Sequence, residues 1–336
     1  MTPDVAIVGG GPAGAAVAWH LATAGATVTL VHEHREKWRP VGQQLSGAAR
    51  PILRAMGILD EVTAASTPIH EARSAWPGPQ IDTRPSLLSP FGPPLAVNRP
   101  TLDNLLRKAA QSAGVHLVHD HVQSPPRAAV LIDATGTTRA ISRTKLFWTQ
   151  IDRLRCTLWK ATPAGPTPQP WTLVEAAPDG WWYTAPTPDG ALTVMRVSDL
   201  SKTNNKQNPP EHTAHRLGRP LPTTSDYRVA TIGHATPPWS PHLIAVGDAA
   251  VAVDPLSSSG LLNALRLAEP AATAALGLLD GNTEPAHQYT QNVQALINNH
   301  LDKRDYYLTL TEENAPFWKK RRPSPQHPKI NTAEAH

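Results

Sequence analysis

The stretch Asp4-Val5-Ala6-Ile7-Val8, followed at once by Gly9-Gly10-Gly11-Pro12-Ala13-Gly14, decides the fold. A short apolar run reads as a buried strand, and glycines directly behind it read as a tight turn into a helix. Residues 13–24 are alanine-rich and helical in character, Gly25 ends them, and residues 27–32 form a second strand closed by Glu33. This βαβ unit carries Gly9-x-Gly11-x-x-Gly14, with Glu33 nineteen residues past the last glycine. The glycines permit the turn, backbone approach to a pyrophosphate and close helix–strand packing. The helix N-terminus offers N–H groups and its positive dipole end to phosphate, and the acid after the second strand hydrogen-bonds a ribose hydroxyl. Gly9, Gly11, Ala13, Gly14 and Glu33 are therefore candidate dinucleotide-binding residues.

Composition narrows the remainder. The chain has 336 residues, 40% apolar and 17% charged, which fits a globular protein of one large domain or two modest ones. No apolar run is long enough to cross a bilayer, and the start lacks the basic region of a signal peptide. Cys156 is the only cysteine, which excludes a disulfide framework and a cysteine-based metal site, and no metal is expected; a reducing, cytoplasmic setting follows as the expectation. Net charge is only +4, and the one dense basic run, Lys319-Lys320-Arg321-Arg322, has no stripe of basic and aromatic residues beside it, so nucleic acid is not an expected partner. Thirty-five prolines, about twice the ordinary share, mark loops at 77–100, 163–170, 186–188, 209–222, 237–241 and 323–328.

Along the chain, the pattern predicts a helix at 45–56, a strand at 70–76, a nearly structureless proline-rich stretch up to Val97, a helix at 101–113, and strands at 115–119 and 128–133. Residues 147–232 change character: alternating, Trp-rich strands at 153–159, 171–177, 181–185 and 191–197 form a sheet inserted in an α/β chain. A strand at 242–246, a long apolar helix at 260–279 and further helical sequence to 312 complete it, and 323–336 read as a disordered tail.

A second fingerprint stands roughly 230 residues after the first: Val246-Gly247-Asp248-Ala249, then Asp254-Pro255-Leu256-Ser257-Ser258-Ser259-Gly260-Leu261. It resembles the flavin-binding segment of FAD monooxygenases and flavin-dependent halogenases, the group with the p-hydroxybenzoate hydroxylase-type fold. In that group the Asp248 position binds the ribityl chain, Pro255 lies beside the isoalloxazine ring, and Ser259-Gly260-Leu261 open a helix toward the ring edge where charge accumulates on reduction. Val97-Asn98-Arg99-Pro100-Thr101-Leu102-Asp103 resembles the same group's arginine helix start, which assigns Arg99 to FAD. Val41-Gly42-Gln43-Gln44-Leu45 occupies the place of its GE-x-L loop, with glutamine in place of the usual acid, and the resemblance adds Gln44 to the cofactor-binding candidates. Gly180-Trp181-Trp182-Tyr183 is similar to a segment of halogenase-like flavoproteins that mature tryptophan-derived quinone cofactors, as are residues 301–307 and 315–322.

The resemblance implies an α/β fold: an FAD-binding Rossmann-like (GR2 type) domain with an inserted antiparallel β-sheet substrate domain and C-terminal helices. Residues 1–75, 95–146 and 233–285 would form the FAD-binding domain, 76–94 and 147–232 the substrate sheet, and 286–322 the C-terminal helices. The cofactor would be FAD, reduced by NAD(P)H directly or through a separate flavin reductase. Thr135 stands where directly reduced monooxygenases carry an Asp-Gly aspartate, and only residues 120–127 replace the group's usual meander. The implied reaction is hydroxylation of an electron-rich aromatic ring, the indole of a small aromatic or a Trp-containing peptide, through a flavin C4a-hydroperoxide formed with O₂. Trp181, Trp182, Tyr183 and Ser259 are the pocket candidates, and no catalytic base is named; His234 and His242 read as surface histidines. The alternatives are a halogenase, whose lysine has no counterpart between Trp38 and Arg107, a reductase of isoprenoid C=C bonds, and a binding protein that keeps the fold without turnover.

Overall fold

The computed structural model describes residues 3–33, 43–76, 78–86, 89–120, 122, 125–165, 170–201, 208–311 and 315–322. The disordered-tail expectation for 323–336, and Val41 and Gly42, lie outside the described residues.

Val5–Val8 is buried along its whole length and pairs in parallel with Val28–His32 on one side and Val130–Asp133 on the other. A strand covered on both faces reads as a continuous apolar run, which is what the sequence shows. The six-stranded sheet runs Trp239–Ser240, Leu243–Ala245, Val130–Asp133, Val5–Val8, Val28–His32, His116–His119, parallel except for Trp239–Ser240. His116–His119 is followed directly by Val130–Asp133, with no strand among the described residues between them. Helix Pro12–Thr23 packs against Arg99–Ser112 and Ala268–Leu279, and Glu284–Leu310 packs on the last of these. Small residues such as Ala15, Ala16 and Ala18 bring that first helix close to the sheet within the main core.

The second sheet has eight strands in the order Val251–Ala252, Asp226–Ala235, Trp148–Ala161, Leu192–Asp199, Gly180–Pro186, Trp171–Ala177, Glu71–Ala75, Ile81–Pro85. It is antiparallel except where Trp171–Ala177 meets Glu71–Ala75. The period-2 alternation gives it two different faces. Leu154, Cys156, Trp181, Tyr183 and Val197 share one face, while Trp159, Trp182, Leu192 and Val194 pack on the other. A small sheet of Gln43–Leu45, Leu95–Val97 and Ser66–Pro68 lies between the two larger ones in the chain's path.

Several expectations differ from the structure for identifiable reasons. The helix expected at 45–56 is a strand ending at Leu45, a 3₁₀ turn Gly47–Ala49 and a short helix Arg50–Ala55, stopped by Gly57 at φ +73° and followed by helix Leu59–Ala64. The proline-rich stretch before Val97 holds two strands, Ile81–Pro85 and Leu95–Val97; Pro85 is tolerated because Ile81–Pro85 is an edge strand. Strand Glu71–Ala75 pairs in the second sheet rather than with the FAD-binding segments. The helix expected at 260–279 breaks into Gly260–Arg266 and Ala268–Leu279, because Pro270 has no N–H for the Arg266 carbonyl and its ring crowds it. Strand Asp226–Ala235 and helix Glu211–Leu217 were not expected; the strand is largely polar on its outer side and contains Gly233, where a Cβ would lie 2.3 Å from the Thr149 carbonyl oxygen. Among the described residues no helix is long and apolar enough to cross a membrane.

Candidate active site

The strand order reverses about Val5–Val8, and at such a switch point the carboxyl ends of parallel strands open a crevice. Here a cleft of about 1130 Å³ lies at those ends and runs on to the second sheet. Gly9, Gly11, Ala13, Glu33, Arg99 and Asp248 all line it.

The glycine turn is built for close approach. Gly9 has φ +113°, and a Cβ there would stand 2.2 Å from the Ala134 carbonyl oxygen; at Gly14 a Cβ would stand 2.0 Å from the Gly9 carbonyl oxygen. Gly14 does not line the cleft and acts on the turn itself. A Cβ at Gly11 would meet only Arg99 Nη2 at 3.5 Å, so that position faces the void. Gly11 is also the N-cap of helix Pro12–Thr23, and no side chain caps its first turn, which leaves backbone N–H groups for an anion.

Arg99 opens helix Arg99–Ser112, whose cap Asn98 accepts from Thr101 N at 3.2 Å. Its Nε donates to Asp103 Oδ1 at 2.7 Å and its Nη1 to Gln43 Oε1 at 2.9 Å. Burial pushes the Asp103 carboxyl up, against the pull of Arg99 and Arg107. Arg107, two turns on, donates to the Gly10 carbonyl at 2.9 Å and so ties the same helix to the glycine turn. The sequence reading passed over Arg107; its spacing of i, i+4, i+8 from Arg99 and Asp103 was the available signal.

Asp248 follows Gly247, which has φ +58° and whose Cβ would lie 2.7 Å from that of Ala13. The Asp248 side chain is open to the cleft but hemmed in by protein, and this desolvation raises its carboxyl above the usual range, with Arg99 opposing. Asp133, fully buried at the end of Val130–Asp133, was also not singled out. It accepts from Thr135 N, Thr135 Oγ1, Ile141 N and Ser142 N at 3.0, 2.6, 3.1 and 2.7 Å, and thereby holds the loop carrying Thr135 and Thr138 against the cleft.

The 254–260 segment is pinned from behind. Asp254 caps the turn Pro255–Ser257 by accepting from Leu256 N at 3.0 Å, and Ser258 sits at φ +48°. Ser259 Oγ hydrogen-bonds Ser257 Oγ at 2.8 Å and accepts from Asn263 Nδ2 at 3.1 Å. Pro255, Ser259, Gly260 and Leu261 line the cleft. Behind them, Asp254 N donates to His300 Nε2 at 3.0 Å and Asp254 Oδ2 accepts from Arg304 Nε at 3.0 Å. Arg304 continues to Asp152 at 2.5 Å, Arg321 bonds Asp152 at 2.7 Å, and Arg321 also bonds Asp199 at 2.7 Å.

The far wall of the cleft is the inner face of the eight-stranded sheet. Leu158 pairs with Met195, and Met195 pairs with Tyr183, so three neighbouring strands place these side chains in one row. Tyr183 Oη donates to Gln44 Oε1 at 3.4 Å. Burial raises the Tyr183 phenol, and burial with the nearby Asp254 carboxylate pushes the Cys156 thiol on this wall up to about 12, so both are neutral. Of the pocket candidates, Tyr183 and Ser259 reach the cleft and Trp181 and Trp182 do not. Trp182, 2% exposed, turns to the opposite face and stacks on Trp159 with centroids 5.7 Å apart. Trp181 shares the face of Tyr183 but is covered in the core cluster with Phe317 and Trp318. His242 is exposed and donates to the Ala129 carbonyl at 3.3 Å, His234 bonds Thr236 at 2.9 Å, and neither lines the cleft. Among the described residues no group of three or more His, Cys, Asp or Glu could hold a metal.

This donor set fits FAD: a cradle that only glycine allows, an uncapped helix start, a carboxylate after the second strand, an arginine, and a second carboxylate deep in the same void. Residues 2–142 match the FAD binding domain family. Over 164 aligned residues, 42% of this chain, the sequence is 28% identical to a 1H-pyrrole-2-carbonyl-[peptidyl-carrier protein] brominase of Pseudoalteromonas luteoviolacea, and the match spans 39% of that enzyme. The fold superposes on a myxobacterial chondrochloren halogenase with a TM-score of 0.82, at 20% identity over 97% of this chain and 87% of the other. It superposes on a peptidyl tryptophan dihydroxylase of tryptophylquinone cofactor biogenesis with a TM-score of 0.76, at 24% identity over 99% and 81% of the two chains. Residues 2–142 thus carry an FAD binding domain, and the chain as a whole shares its fold with a flavin-dependent halogenase and a peptidyl tryptophan dihydroxylase.

Proposed function

We propose that this protein is an FAD-dependent monooxygenase that hydroxylates an electron-rich aromatic ring, the indole of tryptophan, presented within a peptide. The observation that carries the reading is the continuity of the cleft: both cofactor fingerprints and the Leu158–Met195–Tyr183 row line one void, so a ring laid on that row stands beside the flavin site. Reduced FAD would supply the electrons that activate O₂, one oxygen atom going to the ring and the other to water. Gly9, Gly11, Ala13 and the helix start would hold the pyrophosphate, Glu33 the ribose, Arg99 and Asp248 the remaining polar groups, and Pro255 to Leu261 the ring edge. Gly14 would act on the turn rather than the cofactor. The chain's part in the chemistry is placement and exclusion of water, since indole is already nucleophilic and needs no base.

The peptide-bound substrate draws support from two proteins that this chain resembles, a dihydroxylase of peptidyl tryptophan and a brominase of a carrier-bound pyrrole. In both, the ring is an N–H heteroaromatic carried on a polypeptide. The brominase match also favours a second reading, halogenation of the same kind of ring. Against it, no lysine stands from Trp38 to Arg107, and none is among the described residues lining the cleft. Reducing equivalents would come from NAD(P)H directly or from a separate flavin reductase. The two readings separate in one assay: reduced protein, a Trp-containing peptide and O₂, with and without bromide. A one-oxygen gain independent of halide supports hydroxylation, and a bromide-dependent product mass overturns it in favour of halogenation.

A further inference from the structure

We propose that Tyr183 and Gln44 together select a substrate ring that bears an N–H group; this rests on the oxygenase reading above and specifies how its site recognises the ring. The two residues come from different sheets and meet inside the cleft, Tyr183 Oη donating to Gln44 Oε1 at 3.4 Å. Gln44 lies on Gln43–Leu45, where neighbouring side chains point opposite ways. Gln43 turns to Arg99, its Oε1 accepting from Nη1 at 2.9 Å, and so belongs to the cofactor side; Gln44 turns to the substrate wall. Gln44, expected among the cofactor-binding residues, lines the same cleft and there meets Tyr183.

A phenol has one hydrogen and two acceptor lone pairs. With its hydrogen directed toward Gln44 Oε1 3.4 Å away, the Tyr183 oxygen presents acceptor capacity to the void, and its burial keeps the phenol protonated. Beside it in the same row stand Met195 and Leu158, neither of which offers a strong acceptor. An N–H ring lying flat on this row therefore satisfies its N–H at Tyr183, whereas an N-methylated ring cannot donate and leaves the Tyr183 oxygen unmatched. A site that hydrogen-bonds a substrate N–H rejects the analogue lacking it more strongly than an apolar pocket rejects an extra methyl.

The test titrates the FAD-loaded protein calorimetrically with a Trp-containing peptide and with the same peptide carrying 1-methyltryptophan, and then assays oxidation of both. The native protein should favour the N–H peptide by about tenfold, the usual order for one neutral hydrogen bond with its unmatched partner. Tyr183→Phe, with an unchanged flavin spectrum, should bring the ratio close to one by weakening only the N–H peptide; Gln44→Leu should lower it in part by releasing the phenol. An unchanged ratio in both variants, or equal weakening of the two peptides, overturns the inference while oxidation of the Trp peptide leaves the oxygenase reading standing. Failure of the native protein to bind or oxidise either peptide removes that reading and the inference with it.

Discussion

Gly14 and Gly11 stand three residues apart in one turn, and a methyl group added to each meets different surroundings. At Gly14 it would lie 2.0 Å from the Gly9 carbonyl oxygen, so the turn or the helix must shift. At Gly11 the backbone is extended, with φ −78° and ψ −173°, and the methyl would meet only Arg99 Nη2 at 3.5 Å. Gly14→Ala should therefore lower the melting temperature of the apoprotein, while Gly11→Ala should melt with the native apoprotein and bind FAD at least about tenfold more weakly, because its methyl occupies the approach of the pyrophosphate. Thermal melts and fluorescence titration with FAD check the pair, and equal effects of both substitutions on melting would contradict the assignment. The place of such residues at the cleft was legible in the sequence because it is set locally: the turn, Glu33 after its strand and Asp248 after its glycine are each positioned by their own motif. Trp181 and Trp182 were not, since alternation sends them to opposite faces but does not say what covers each face. Arg107 and Asp133 escaped for a related reason. Arg107 serves a carbonyl 97 residues away, and Asp133 serves amides of a loop without a motif.

The loop Pro255–Ser257 and the long helix Glu284–Leu310 act as a unit. His300 accepts the Asp254 amide through Nε2 and must be neutral to do so. Burial first, then the charges of Arg304 and Lys303, hold its pKa below the ordinary histidine value, with Asp254 opposing. In the unfolded chain the imidazole takes a proton more readily, so the unfolded state binds more protons as pH falls below about 6.5. His300 thus contributes stability that is complete above that pH and is lost as pH falls toward its folded value. His300→Gln should flatten the decline in melting temperature between pH 7 and pH 5, and an unaltered slope would contradict this account. Arg304 bonds Asp254 and Asp152 while 8% exposed, and Arg304→Ala would leave the buried Asp254 carboxylate without this cation while Asp152 keeps Arg321, at a cost of about 3–5 kcal/mol in denaturant unfolding. Helices and sheet strands of strong period were legible along the chain; the break before Pro270 and the strand Asp226–Ala235 were not, because one depends on a single carbonyl clash and the other borrows its order from Trp148–Ala161.

At the scale of the molecule, the C-terminal segment closes the second sheet. Trp318 is fully buried, donates through Nε1 to the Ala177 carbonyl at 2.8 Å and meets Trp76 edge-on at 5.0 Å, while Trp76 donates to the Tyr307 carbonyl at 3.0 Å. Together with Phe317 it covers Trp181, so the apolar wall is divided into a packed part under this segment and an open part at Leu158, Met195 and Tyr183. Trp318→Ala should cost about 3–5 kcal/mol of stability, read as a lower denaturant midpoint, and an unchanged midpoint would show that the segment only lies on the sheet. On the proposed function, the open part of the wall offers an indole ring to oxygen activated at the flavin site. The most direct test supplies reduced, FAD-loaded protein with a Trp-containing peptide under ¹⁸O₂ and weighs the product. One labelled oxygen is expected on the tryptophan residue, in the presence or absence of halide; hydrogen peroxide as the sole product across indole substrates would contradict the proposed function.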